Sequence, residues 1–528
     1  MLVINGQFPG PLVEANWGDW LEVTVINELQ NNGTGIHWHG FRQEKTNCED
    51  GVGGITECPI PPGHTKTYKF QATSYGTTWY HSHFSAQYGD GVLGPVVIHG
   101  PASANYDIDL GPVVVNDYYN LTVFQEDWFV HRDGPRAAAN YLLNGKNIQL
   151  DLSAGSRQQW TFQKGKKHLL RFINTSVDMV FKIQIDGHDL TVISNDFVPI
   201  QPYTTKELTI AIGQRYEVVV EASQPVENYF LRAIAATDCG TNLNDGLGTA
   251  NGVISYAGAD SSLPATTSVN HTTTCFDETA AGLIPVVQKS VDPTGFAEKY
   301  GGLPVNVQRV SLAGGDNVFQ WYLNGISQSL DWSNPTIGRA VAGNFTFPPE
   351  AHAVTLNDPD VWTFWVIQNQ FFVPHPMHLH GHDFHLLGQG NGTFNVDTDM
   401  DKLNFENPTR RDVAMLIASG WTVIAFKTSN PGAWLMHCHI AWHAGEGLSL
   451  QFVERPDDIP NKYSQIVSSQ AYQDNCKAWN EYVNGPVAYN KTDSGLKRRG
   501  VDHFDTSGRR MGVTRHLHQP NRRRRQRI

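Results

Sequence analysis

The chain has 528 residues, six of them cysteine, a net charge of −12, and a high content of glycine (49), proline (28) and tryptophan (14). That length exceeds a single hydrophobic core and predicts about three domains, while the short Val/Ile/Thr/Tyr-rich runs between turn residues predict antiparallel β-sandwiches and exclude helix bundles and βαβ units. Residues 497–528 hold 11 Lys/Arg and two Asp, which leaves 28 basic and 49 acidic side chains on residues 1–496; a body at −21 repels nucleic acid despite the tail's "RRRRQR" tract.

The chain opens "MLVINGQFPGPLV", a strand-like start without a charged leader, apolar core or cleavage site. "INGQFPG" (4–10) leads to a strand "LEVTVIN" ending at Asn27, then to "HWHGF" (37–41) and "TTWYHSHF" (77–84). The same order returns as "LLNGKN" (142–147), "LLRFIN" ending at Asn174, "QIDGHD" (184–189) and "NYFLRAIA" (228–235). It returns once more as "YLNGIS" (322–327), "TFWVIQN" ending at Asn369, "HLHGHDF" (378–384) and "GAWLMHCHI" (432–440). The chain therefore reads as three copies of one β-sandwich. Histidine chemistry is confined to the first and third copies, and Asp186 stands in the second where His39 and His380 stand in the others. The longest apolar candidate, "VAMLIASGWTVIAF" (413–426), is broken by Ser419, Gly420 and Thr422 and reads as paired strands, so no membrane span is expected. Beyond residue 496 the chain is polar, Arg-rich and expected to be disordered.

Four His-x-His pairs stand in the sequence: His37/His39, His81/His83, His378/His380 and His437/His439. Residues i and i+2 of a strand share a face, so each pair offers two imidazoles to a common site. One such pair is an ordinary polar strand face; four pairs at matching repeat positions point to metal. In "WLMHCHIAWHAGEGL" (434–448) a strand would turn His437 and His439 to one side and Cys438 to the other, so that one strand serves two sites. Cys438 with His375 upstream and His443 downstream makes the His₂Cys trigonal set of a copper electron-transfer centre. Zinc also binds Cys and His, but it has no redox chemistry, and a structural zinc site needs no eight further paired histidines.

"HWHG" (37–40), "HSH" (81–83), "HPMHLHGH" (375–382) and "HCHIAWH" (437–443), occurring together and in order, resemble the copper-binding motifs of multicopper oxidases. Their spacing and flanks are most similar to those of ascomycete fungal laccases, from residue 1 to about 496. The resemblance implies an all-β fold of three cupredoxin-like Greek-key sandwiches at residues 1–101, 102–280 and 281–496, with a basic propeptide at 497–528 cleaved after Leu496 of "DSGL". It implies four copper ions: a type 1 ion on His375, Cys438 and His443, a type 2 ion on His37 and His378, and a type 3 pair on His39, His81 and His439 and on His83, His380 and His437. The axial position falls on Leu448, which cannot coordinate, so a fairly high type 1 potential is expected. Asp90 in "QYGDGVLGP" matches an acid near the type 2 ion, and Asp196 in "ISNDFVPIQP" matches a pocket acid that accepts a phenolic proton. His64, His99, His188, His382 and His385 are expected to be structural or surface residues.

The activity implied is one-electron oxidation of phenols and aryl amines coupled to four-electron reduction of O₂ to water, by a secreted monomer that binds neither nucleic acid nor membrane. Ferroxidases and bilirubin oxidases share the four motifs and remain alternatives, as does an inactive, truncated copper-binding protein. By the same resemblance Cys58 pairs with Cys476 and Cys239 with Cys275, leaving Cys48 odd, and the first domain lacks the family's opening strands and signal peptide. Sequons at Asn32, Asn120, Asn174, Asn270, Asn344, Asn391 and Asn490 permit glycosylation.

Overall fold

In the computed structural model, which describes residues 1–149, 153–239, 248–311, 317–485, 503–504 and 510–511, no described sheet mixes strands from different repeats. Strands between residues 13 and 99 form a four-stranded sheet and a two-stranded ribbon; those between 108 and 256, and again those between 301 and 454, form one six-stranded and one five-stranded sheet. The apolar faces close on cores rich in large side chains, among them Trp79, Trp421, Trp434 and Trp442. The three-sandwich reading of the sequence is thus what the chain does.

The sheets are mixed rather than purely antiparallel. In each copy a strand near the start runs parallel to the last one: Val13–Asn16 beside Leu93–His99, Gln159–Phe162 beside Thr249–Tyr256, and Ala353–Leu356 beside Ser449–Glu454. A parallel neighbour needs a long crossover, and here the rest of the unit supplies it. The segment 413–426 is also corrected in detail. Val413–Leu416 and Gly420–Lys427 are both strands, but they lie in different sheets and do not pair with each other in a ladder. A tight connection with Ser419 at φ 47° moves the chain from one sheet to the other.

Both expected disulfides are present, Cys58–Cys476 and Cys239–Cys275, and Cys48 and Cys438 are buried free thiols. The first joins the opening sandwich to the late helix Gln470–Val483, whose Ser469 cap accepts the Tyr472 N–H. Of the sequons, Asn32 and Asn174 are fully buried, and Asn174 donates to the carbonyls of Met179 and Ile210, which removes both from the candidate glycan acceptors. No described helix is long and apolar enough to cross a membrane. The expected disorder of 497–528 and cleavage after Leu496 lie outside the described residues, save for a short pairing of His503–Phe504 with Arg510–Met511.

Candidate metal centre

The strand pairing sets the histidines face to face. His37 on Ile36–Trp38 stands opposite His81 on Gly76–Ser82, and His378 on His375–Leu379 stands opposite His437 on Gly432–Cys438. The His-x-His pairs of the first copy therefore meet those of the third. His37 lies against His380 with ring centroids 3.9 Å apart, His39 stacks on His378 at 3.9 Å, and His83 reaches His437 at 5.2 Å. Ring nitrogens of His83, His380 and His437 come within 4.8 Å of one another, as do those of His37, His39 and His81 and those of His37, His378 and His380. His439 closes the cage, 5.2 Å from His39 and 5.5 Å from His81.

Hydrogen bonds on the outside of the cage fix which nitrogen faces inward. Nδ1 of His37 donates to the Asp50 carbonyl at 2.8 Å, Nδ1 of His380 to Asp50 Oδ2 at 2.8 Å, and Nδ1 of His378 to the Asp412 carbonyl at 2.8 Å. His81 and His437 donate through Nδ1 to the carbonyls of Ser82 and Cys438. His39 is turned the other way, its Nε2 donating to Asp412 Oδ1 at 3.1 Å. What remains inside is a set of buried nitrogens without a hydrogen-bond partner: Nε2 of His37, His81, His378, His380 and His437, Nδ1 of His39, and both nitrogens of His439. Burial, and then mutual repulsion, lowers the pKa values of His39, His81, His83, His378 and His380, so these rings are neutral lone-pair donors. Orphaned nitrogens are costly to bury unless a cation accepts their lone pairs, and soft-to-borderline redox metals fit an all-imidazole set.

On the opposite face of the Gly432–Cys438 strand lies a second set. Cys438 Sγ is 3.6 Å from Nδ1 of His375 and 3.6 Å from Nδ1 of His443, and the two nitrogens are 3.1 Å apart. The centre of such a triangle is about 2 Å from each corner, close to a metal–nitrogen bond length. Burial, with the Asp178 charge adding to it, pushes the Cys438 thiol up, and burial draws His375 down to about 3, so the thiolate form calls for a bound cation. Leu448 is fully buried beside this set: its carbonyl accepts the Cys438 N–H at 3.0 Å, and its N–H donates to the His443 carbonyl at 2.9 Å.

The two carboxylates singled out in the sequence are both buried and hydrogen-bonded to the protein. Asp90 Oδ1 accepts the Val123 N–H at 2.7 Å, at the start of helix Val123–Asp133. Asp196 is 1 % exposed and is bound by Arg411 Nε at 3.1 Å, Arg215 Nη1 at 3.5 Å and the Arg215 backbone N–H at 2.9 Å. It is an internal ion-pair acid, not one open to a substrate. The residues that do support the imidazole cage, Asp50, Asp412 and Arg215, were not singled out in the sequence. Arg215 grips Asp412 through both terminal guanidinium nitrogens, at 2.5 and 2.7 Å, opposing the upward push of burial, which still leaves that carboxylate raised to about 7. The middle copy contributes further through Gly213, at φ 83°, where a Cβ would stand 2.9 Å from His439 Cδ2.

Multicopper oxidase family models match residues 1–103, 110–259 and 319–458. The chain belongs to the multicopper oxidase family, and its cofactor is copper. Within that class it is 44 % identical over 519 residues to laccase-2 of Podospora anserina, covering 94 % of this chain and 81 % of the relative. It is 46 % identical to laccase-3 of Botryotinia fuckeliana over 463 residues, 84 % of this chain and the whole of the relative. Among solved structures, the laccase of Botrytis aclada superposes with a TM-score of 0.85 at 42 % identity, over 94 % of this chain and 90 % of that one. Fet3p, a multicopper oxidase that functions in iron import, follows at 0.78 and 27 %, over 94 % and 95 %. These likenesses make the three sandwiches cupredoxin-like Greek-key units.

Proposed function

We propose that the chain is a laccase, oxidising phenols and aryl amines one electron at a time and reducing O₂ to water, as a secreted monomer. The observation that carries the reading is the two-faced strand Gly432–Cys438, whose Cys438 belongs to the trigonal set while its neighbours His437 and His439 belong to the imidazole cage. The similarity to laccases at 43–46 % identity, against 27 % to Fet3p, favours phenols over Fe(II). The assignment uses one type 1 ion on His375, Cys438 and His443, one type 2 ion on His37 and His378, and a type 3 pair on His39, His81 and His439 and on His83, His380 and His437. Its units are 1–101, 102–280 and 281–496. Bound copper supplies reversible one-electron chemistry and, as a set, the four electrons that O₂ requires.

The protein's own part is positioning and exclusion. His443, though buried, is the least enclosed member of the trigonal set, at 7 % exposure, and Trp321, half-buried Phe371 and exposed Phe372 give an aromatic rim on which a phenol can stack. The His437–Cys438–His439 peptide links the two sites through covalent bonds. Asp50 and Asp412 hold four cage imidazoles, His37, His380, His39 and His378, in one tautomer each, and the buried shell keeps bulk water from the oxygen site.

The test is a panel on purified, copper-loaded protein comparing oxygen uptake with a phenol, Fe(II) and bilirubin. The reading predicts the fastest turnover on the phenol. Preference for Fe(II) or bilirubin would replace it with a ferroxidase or bilirubin oxidase, and copper binding without oxygen uptake with an inactive relative.

A further inference from the structure

Behind the trigonal set lies a group of ionisable side chains that the reaction as described does not use. Glu446 ends the helix Ala441–Gly445, three residues beyond His443, and is 4 % exposed. Its backbone is tied down: its N–H donates to the Trp442 carbonyl at 2.9 Å, and its carbonyl accepts from the Trp321 N–H at 3.0 Å and Ser327 Oγ at 3.1 Å. Trp321 lies against both imidazoles of the set, with ring centroids 4.3 Å from His443 and 4.7 Å from His375. The carboxyl itself is poorly met. Its Oε1 is buried without a hydrogen-bond donor and sits 3.8 Å from Nε2 of His131, whose Nδ1 is 3.5 Å from Asp127 Oδ2. Asp127 and His131 are one turn apart on helix Val123–Asp133, so this helix, held by its Thr122/Gln125 capping box, delivers a carboxylate–imidazole pair to a buried acid.

We propose that Glu446 is a charge-bearing positioning residue for the type 1 site: through Trp321 it holds His375 and His443 in place, and with His131 and Asp127 behind it, it sets how the type 1 potential responds to pH. The proposal rests on the laccase assignment of that site. A purely structural role would be met as well by an amide or an apolar side chain, and a buried carboxyl left half-satisfied costs stability that such replacements would not. An acid retained there, with an imidazole brought in from another element to face it, points to a working charge.

The sign follows from the groups that face the pair, Asp127, Arg132 and Asp178 in addition to His131 and Trp321. Burial pushes Glu446 up to about 8, against the opposing pull of His131 and of the hydrogen-bonding Trp321 side chain. Burial draws His131 down, but Asp127 and then Glu446 outweigh it and leave it raised. Glu446 therefore releases its proton on the alkaline side of neutrality, and His131 releases its own above its ordinary value. Each proton lost leaves the surroundings of the type 1 site one unit more negative, which favours the cupric over the cuprous ion and lowers the potential.

The experiment is a redox titration of the type 1 copper as a function of pH in the wild type, Glu446→Gln and His131→Asn, with copper content and blue absorption recorded for each. Infrared difference spectra of the copper-free proteins, taken across the same pH range, follow the buried carboxyl directly. The wild-type potential should fall across the window around 8, with the carboxyl band lost in step. Glu446→Gln should lack that band and flatten the fall at unchanged copper content. Should Glu446→Gln fail to take up type 1 copper, His131→Asn decides: without the facing imidazole, the wild-type fall should shift to higher pH. A Glu446→Gln enzyme with the wild-type pH dependence, or a His131→Asn enzyme with an unmoved one, overturns the proposal. A wild type without blue absorption overturns instead the assignment on which it rests.

Discussion

Cys438 is where the chemistry of two sites is decided by one side chain. Its thiol is fully buried, 3.6 Å from each partner imidazole, and its peptide neighbours face the other way into the cage. Cys438→Ser should therefore abolish the blue absorption and phenol oxidation while most of the copper in the cage stays bound, since serine offers no thiolate; absorption spectra and metal analysis check this. On the laccase assignment Leu448 takes the axial position, where it cannot coordinate, so Leu448→Met should lower the type 1 potential and slow oxidation of poorly reducing phenols. A potentiometric titration giving an equal or higher value would count against it. Asp50 orients His37 through its carbonyl and His380 through its carboxylate, both members of the cage and not of the trigonal set. Asp50→Asn should reduce oxygen uptake roughly 10–100-fold, the usual cost of losing a partner to a metal ligand, with the blue absorption unchanged.

At the scale of elements, the hairpin joining Leu190–Asn195 to Val198–Thr205 shows why one sequence expectation changed. Its two turn residues, Asp196 and Phe197, both have positive φ, 42° and 67°, in a two-residue turn that favours Asn-Gly. Contacts hold the strained turn. Phe197 packs on Phe41 of the first sandwich at 5.3 Å, and the Asp196 carboxylate is caught by Arg215 and Arg411. Nothing in "ISNDFVPIQP" reveals that the turn points inward, because the partners lie 19 and 215 residues further on. Asp196→Ala should thus leave two buried guanidinium groups short of a partner and cost about 3–5 kcal/mol of stability. It should impair phenols and donors without a dissociable proton alike, as calorimetry with parallel kinetics on both substrate kinds would reveal; a selective loss on phenols would restore the pocket-acid role.

Across the whole molecule, what was legible in the sequence was local. Ligand spacings such as His-x-His and His-Cys-His are set by the two-residue period of a strand, and the three-copy architecture by a repeated order of short segments. The supports were hidden because they span copies: Asp412 reaches His39 across 373 residues, and His380 reaches Asp50 across 330. The middle copy shows the converse. Where the others carry His39 and His380, and His81 and His437, it carries Asp186 and Arg232, joined by two 2.8 Å hydrogen bonds. An ion pair there replaces metal ligands, and the copy serves as a wall that contributes Arg215 and Gly213 to its neighbours' site. The central claim, that the thiolate site and the imidazole cage work as one machine, is tested most directly by the ratio of phenol oxidised to O₂ consumed. About four phenols per O₂ without released peroxide is the predicted result, since O₂ must receive its full set of electrons before product leaves. About two per O₂, with peroxide accumulating, would contradict it.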